Sequence, residues 1–97
     1  MTGEGYRVRY TRVRYTRAAR RALSDELPVH VVDAVLALID GDLARQPSRV
    51  GRPLRPPLDG TYSARRGTYR LLYEIDQQAR TVIITAIESR SDAHRPR

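Results

Sequence analysis

Three arginines, Arg65, Arg66 and Arg70, bracket a turn at Gly67. A guanidinium keeps its charge at any working pH and presents a planar fork that matches the oxygens of a phosphate. If the runs on either side of the turn pair as a β-hairpin, Arg65 and Arg70 fall on one face, away from Tyr69 and Tyr73. That face would show guanidinium groups, with Leu72 beneath them, to a phosphate-bearing ligand. A merely solvated face would instead carry intrastrand pairs such as Arg70 with Glu74. Near the C-terminus, His94 is the residue whose ordinary pKa of ~6.5 suits proton transfer at neutral pH, although an exposed tail histidine is the plainer reading. Arg49, Arg52 and Arg55 add charge in a segment rich in proline and glycine, each weak evidence on its own.

The elements that must position these groups can be read from pattern. Arg7-Val8-Arg9-Tyr10-Thr11 recurs unchanged as Arg12-Val13-Arg14-Tyr15-Thr16. A five-residue repeat on a strand of period two sends the two copies to opposite faces, so only one can serve the core unless a bulge intervenes. The second copy is taken as the core strand, the first as an extension or edge. Ala19, Ala22 and Leu23 then follow helical spacing, with Thr16 as cap, and Pro28 ends that helix near Leu27. Pro28 suits the first turn of a second helix, whose apolar stripe is Val32, Val35, Leu36, Ile39 and Leu43. Residues 47–60 read as a loop. Three strands follow, Thr61–Arg65, Thr68–Asp76 and Arg80–Glu88. The last carries β-branched residues on both alternations, as expected of a central strand buried on two sides. The fold class is α+β, in the order strand, helix, helix, strand, strand, strand, with the helical hairpin on one face of a small, mainly antiparallel sheet.

The 97 residues suffice for a single domain, 1–97, with residues 1–7 as a possible extension and 89–97 as a polar tail. All eighteen basic residues are arginine, and eleven acidic ones leave a net charge of +7. An excess of this size on a small body points to a polyanionic partner, either nucleic acid or an acidic protein segment. The absence of cysteine removes disulfides, thiolate metal sites and a cysteine nucleophile, and makes a reducing cytoplasm the simplest compartment. No P-loop, zinc finger or serine–histidine–aspartate set is visible. His30 and His94 are too far apart for a local metal motif, and no apolar run approaches the ~18 residues of a membrane span. The six tyrosines are the only aromatics; most suit the core, with one or two free to stack on bases.

Together, Gly51-Arg-Pro-Leu-Arg55, Leu58-Asp-Gly60, Tyr62-Ser-Ala-Arg-Arg-Gly-Thr-Tyr-Arg70 and Leu72-Tyr-Glu-Ile-Asp76, followed by Val82–Ile87, Arg90 and His94, resemble the RelE-type toxins of the RelE/ParE toxin–antitoxin superfamily. The resemblance spans about residues 8–95. It implies a RelE-like fold and a ribosome-dependent mRNA endoribonuclease, in which the ribose 2′-OH attacks the adjacent phosphate and the 5′-oxygen leaves. It implies catalytic roles for Arg65, Arg70, Arg90 and His94, and RNA binding by Arg52, Arg55, Ser63 and Arg66, with no metal or cofactor. The implied partners are an acidic, RelB-like antitoxin, through which the complex would reach operator DNA, together with the ribosome and mRNA; no membrane is involved. Two positions depart from the pattern: Ser63 stands where a lysine or arginine is common, and His94 where the messenger-cleaving branch often has tyrosine. A DNA gyrase inhibitor of the ParE branch, and a degenerate toxin serving mainly as an antitoxin and operator partner, are the alternatives.

Overall fold

The second pentapeptide copy forms β1 (Arg12–Tyr15), which lies parallel to the last strand, β5 (Thr81–Ser89). The structure, a computed structural model, describes residues 12–89; the first pentapeptide copy, Arg90 and His94 lie outside them. Val13 and Tyr15 pack against the core and Arg12 and Arg14 are exposed, as the alternation of a half-buried strand requires. Thr16 then turns the chain. Its hydroxyl accepts from the Ala19 amide at 3.2 Å, capping α1 (Arg17–Arg21), and donates to the carbonyl of Thr85 at 3.0 Å. A π-helical turn, Ala22–Glu26, extends α1 to the break before Pro28.

Pro28 lies just outside the second helix as its N-cap, and α2 (Val29–Leu38) runs on through a second π-helical turn, Ile39–Leu43. Val31, Val35, Ile39 and Leu43 are buried, with Leu38 packed beside them. The expected stripe is therefore rotated: Val31 and Leu38 take the place given to Val32 and Leu36, which stay half-buried. The wider π-helical turn changes the angular step between Leu36 and Leu43, which a uniform 3.6-residue period misses.

Segment 47–60 is not all loop. It begins with α3 (Pro47–Val50) and the two-residue strand β2 (Arg52–Pro53), and only then crosses to β3 (Thr61–Arg66). The next strand, β4 (Tyr69–Asp76), completes a five-stranded sheet in the order β1-β5-β4-β3-β2, antiparallel except for the β1–β5 pair. Gly67, at φ +57°, makes the tight turn between β3 and β4. Both helices pack on one face, against Leu71, Tyr73, Val82, Ile84 and Ile87.

The β-branched residues on both alternations of β5 have a different cause from two-sided burial. The ladder shifts by one residue between Leu72 and Tyr73, which oppose Ala86 and Ile84, so Thr85 is the extra residue of a β-bulge. The bulge resets the parity. Val82 and Ile84 before it and Ile87 after it all reach the helix-covered core. The Thr85 hydroxyl donates to the Leu72 carbonyl at 3.1 Å, which anchors the irregularity across the strands. Ser89, expected to open the polar tail, is the buried last residue of β5.

A candidate phosphate-binding face and cleft

Strand parity decides which arginines meet. Arg65 lies directly opposite Arg70, and Ser63 opposite both Leu72 and, on its other side, Arg52. Arg52, Ser63, Arg65 and Arg70 therefore share the sheet face that the helices leave open, as the hairpin pattern predicts for Arg65 and Arg70. Two like charges directly opposite one another weaken a strand pair. Glu88, opposite Arg70 on the other flank, offsets this with an ion pair of 2.6 Å. Both partners are well exposed, at 40% and 52%, so the pair contributes at most about 0.2–1 kcal/mol. The intrastrand partner anticipated for Arg70, Glu74, is not the one used.

Arg66 has the opposite parity. It lies across from Tyr69 on the helix side of the sheet, and its positive charge acts on both Tyr69 and Tyr73. Its Nη1 donates to the carbonyl of Arg65 at 2.9 Å. Where α3, β2 and the end of β3 converge lies a cleft of about 630 Å³, into which Arg49, Arg52, Arg65 and Arg66 face. No acidic side chain lines it. Arg55 sits exposed in the segment between β2 and β3 and does not line the cleft; Arg70 is also outside it.

The cleft wall is held by a buried phenol. Tyr73 has no exposed surface; its hydroxyl donates to the Pro47 carbonyl at 2.6 Å and accepts from the Gly51 amide at 2.9 Å. Gly51 is needed for space rather than conformation. A Cβ there would fall 2.7 Å from both the Ser63 carbonyl oxygen and the Tyr73 hydroxyl. Burial pushes the Tyr73 pKa up to about 12, against the Gly51 hydrogen bond and the Arg66 charge, which favour the phenolate. Tyr62 stacks on Tyr73, with ring centroids 5.5 Å apart and planes 15° from parallel. Burial also raises the pKa of Tyr69, opposed by Arg66, and that of Tyr15, where Asp40 adds to the effect. Among the described residues Tyr69 and Tyr73 are buried, and Tyr15 and Tyr62 are half-buried and packed against the core, so none presents a fully exposed ring.

Three groups escaped the sequence reading: Glu88 as the partner of Arg70, Arg49 as part of a site, and the Tyr73 hydroxyl as a brace. Arg49 had a signal in its charge. The other two depend on pairings that appear only once the chain is folded.

A family model described as the ParE toxin of the type II toxin–antitoxin system parDE matches residues 9–94. The chain is 53% identical over 83 residues to Toxin RelG of Mycobacterium tuberculosis, covering 86% of this chain and 94% of the relative. It is a toxin of the RelE/ParE superfamily. It is also 41% identical to Toxin RelE of the same organism, covering 86% of this chain and 84% of that one. The toxin superposes on a chain of the toxin–antitoxin complex RelBE2 from M. tuberculosis with a TM-score of 0.81 and 53% identity, covering 86% of this chain and all of that one. The isolated Escherichia coli RelE toxin, at 14% identity and TM-score 0.66, covering 80% of this chain and 82% of its own, shows the shared fold alone. Among the described residues no helix is long and apolar enough to cross a membrane.

Proposed function

We propose that the toxin is a ribosome-dependent mRNA endoribonuclease that inhibits translation and is silenced by a cognate antitoxin. The observation that carries this reading is the Arg65–Arg70 pair on the open face of the sheet. It does not stabilise the fold, and it offers two guanidinium forks side by side to one phosphate. Cleavage by the neighbouring 2′-OH requires three things: removal of its proton, stabilisation of the extra charge on the phosphorane, and protonation of the departing 5′-oxygen. Arg70 supplies charge stabilisation once the phosphate displaces Glu88, and Arg65 orients the phosphate. Arg52 and Ser63 continue the binding face towards the sheet edge, and Arg55 contacts RNA from the adjoining segment. Arginine, with a pKa above ~12, is no proton acceptor. Proton transfer therefore falls to His94, with Arg90 adding positive charge from the C-terminal segment.

Identity of 53% and 41% to the mycobacterial toxins RelG and RelE supports the RelE branch. The related RelBE2 chain was solved as a toxin–antitoxin complex. With a net charge of +7, the matching antitoxin for this chain is an acidic, amphipathic segment that folds on the arginines and loosens as salt rises. The matched family model, described as ParE toxin, favours a second reading: inhibition of DNA gyrase on the same fold. Incubating the toxin with translating ribosomes and mapping message ends, beside a gyrase supercoiling assay, separates the two. Cuts confined to ribosome-bound message, with gyrase unaffected, are expected. Intact message with inhibited supercoiling would establish the second reading instead.

A further inference from the structure

The arginines of the open face account for one phosphate, yet Arg66 and Arg49 lie elsewhere. Consecutive residues on a strand point to opposite faces, so Arg65 and Arg66 straddle the outer border of β3. We propose that the cleft between α3 and the end of β3 is a second phosphate site, with Arg49 and Arg66 as its ligands, and that it holds the RNA strand beyond the scissile linkage. This rests on the reading that RNA is the substrate, and it assigns Arg66 a separate site from the reacting one.

Three observations support it. First, the four guanidinium groups around the cleft have no acid among its lining residues, and none of them is ion-paired with a described residue. Arg45 and Arg70, by contrast, have carboxylates within 3.2 and 2.6 Å. Uncompensated like charge converging on a concavity focuses positive potential there and selects an anion. Second, β2 ends opposite Ser63, so the outer border of β3 from Ala64 to Arg66 has no strand partner among the described residues. The Leu54 amide bonds to the Thr61 carbonyl, which fixes the outward-turned peptide groups of β3 at alternate residues 61, 63 and 65. The backbone of Arg65 thus faces the same side as the cleft, where an amide can add to the guanidinium donors. Third, the wall is rigid. Tyr73 ties Pro47 and Gly51 together, and Gly51 abuts the Ser63 carbonyl, so Arg49 and Arg52 are mounted on a fixed support. A preformed site spends less of its binding energy on ordering.

The cleft favours a phosphodiester over an acidic peptide. An antitoxin segment that folds on binding must bury apolar side chains, and Val50 and Ala64 are the only aliphatic side chains in this lining.

The test is equilibrium binding of 2′-O-methyl RNA oligonucleotides, which cannot be cleaved, to the full chain and to the double variant Arg49→Gln, Arg66→Gln across a salt series. Each phosphate contact on a single strand contributes roughly 0.7 to the slope of log affinity against log salt, so the double variant, which removes one phosphate site, should lose about 0.7. Lengthening the oligonucleotide from a trimer to a hexamer should tighten binding to the natural chain and leave the variant nearly unchanged. Thermal melting confirms that the variant folds, since both side chains are exposed. Equal slopes and an equal gain with length would overturn the second site. So would a variant that binds RNA normally but loses affinity for a polyglutamate peptide. If the natural chain binds no RNA at all, the substrate reading fails first, an outcome the trimer alone reveals.

Discussion

Replacing Tyr73 by phenylalanine removes one oxygen and two hydrogen bonds, and the structure gives the consequence. The Pro47 carbonyl loses a 2.6 Å donor in the buried interior, and the Gly51 amide loses a 2.9 Å acceptor. A buried polar group left without a partner costs about 1–3 kcal/mol. The Gly51 amide is only partly buried, so the lower half of the summed range, about 2–4 kcal/mol, is expected. For a chain of this size 1 kcal/mol moves the melting temperature by roughly 4–8 °C, so a drop of about 8–30 °C should follow. The control lies in the same aromatic stack. Tyr62 is half-buried against Tyr73, and Tyr62→Phe should change stability by no more than about 0.5 kcal/mol. Urea unfolding of the two variants, compared at equal m-value, measures the difference. If Tyr73→Phe is as mild as Tyr62→Phe, the phenol is not the brace of the α3–β2 segment, and the rigidity argued for the cleft falls with it.

Alkali should act on the same residue. The folded Tyr73 pKa of about 12 exceeds the ordinary value of 10, so its stabilising contribution is complete below pH 10. It falls as pH rises from 10 to 12, because the unfolded chain gives up the proton first; the loss is at most about 2.7 kcal/mol. Tyrosinate absorbance reports all six tyrosines, Tyr15 and Tyr69 with raised pKa values among them, so the difference between the natural chain and Tyr73→Phe isolates the Tyr73 titration, and a loss of stability centred below pH 9 would contradict the assignment. Glu88→Gln should release Arg70 and raise affinity for single-stranded RNA at low salt by up to about fivefold, the equivalent of a surface ion pair of about 1 kcal/mol. Weaker RNA binding by this variant would show that Glu88 orients Arg70 instead of competing for it.

The face carrying Arg65 and Arg70 was legible in the sequence because a hairpin closed by a short glycine turn leaves little freedom in register. The same logic placed the second pentapeptide copy correctly: with Thr16 capping α1, Val13 and Tyr15 must face the helices. What could not be read depended on partners distant in the chain. Counting back from the pairing of Asp76 with Thr81, an unbroken ladder would set Arg70 opposite Ile87. The bulge at Thr85 shifts the register by one and brings Glu88 there instead, and that bulge is anchored by hydroxyl bonds to Leu72 and from Thr16. Segment 47–60 hid α3 and β2 for a similar reason. Its prolines and glycines signal a loop, whereas the Tyr73 hydroxyl, 26 residues from Pro47, gathers its first residues against the sheet. The helical stripe was misjudged at Val32 and Leu36, both within α2, because the π-helical turn that follows changes the angle at which Leu43 joins the buried face.

Single-turnover cleavage of ribosome-bound message by the natural toxin, Arg70→Ala and Arg70→Lys tests the central claim most directly. The natural toxin should cut. Arg70→Ala should lose on the order of 10²–10³ in rate, as when one donor to a developing charge is removed, while its melting temperature stays within a few degrees of the natural chain because the ion pair it breaks is exposed. Arg70→Lys should recover only part of the rate, since a point charge lacks the bidentate fork. Cleavage by Arg70→Ala at the natural rate, or an intact message after incubation with the natural toxin, would contradict the account.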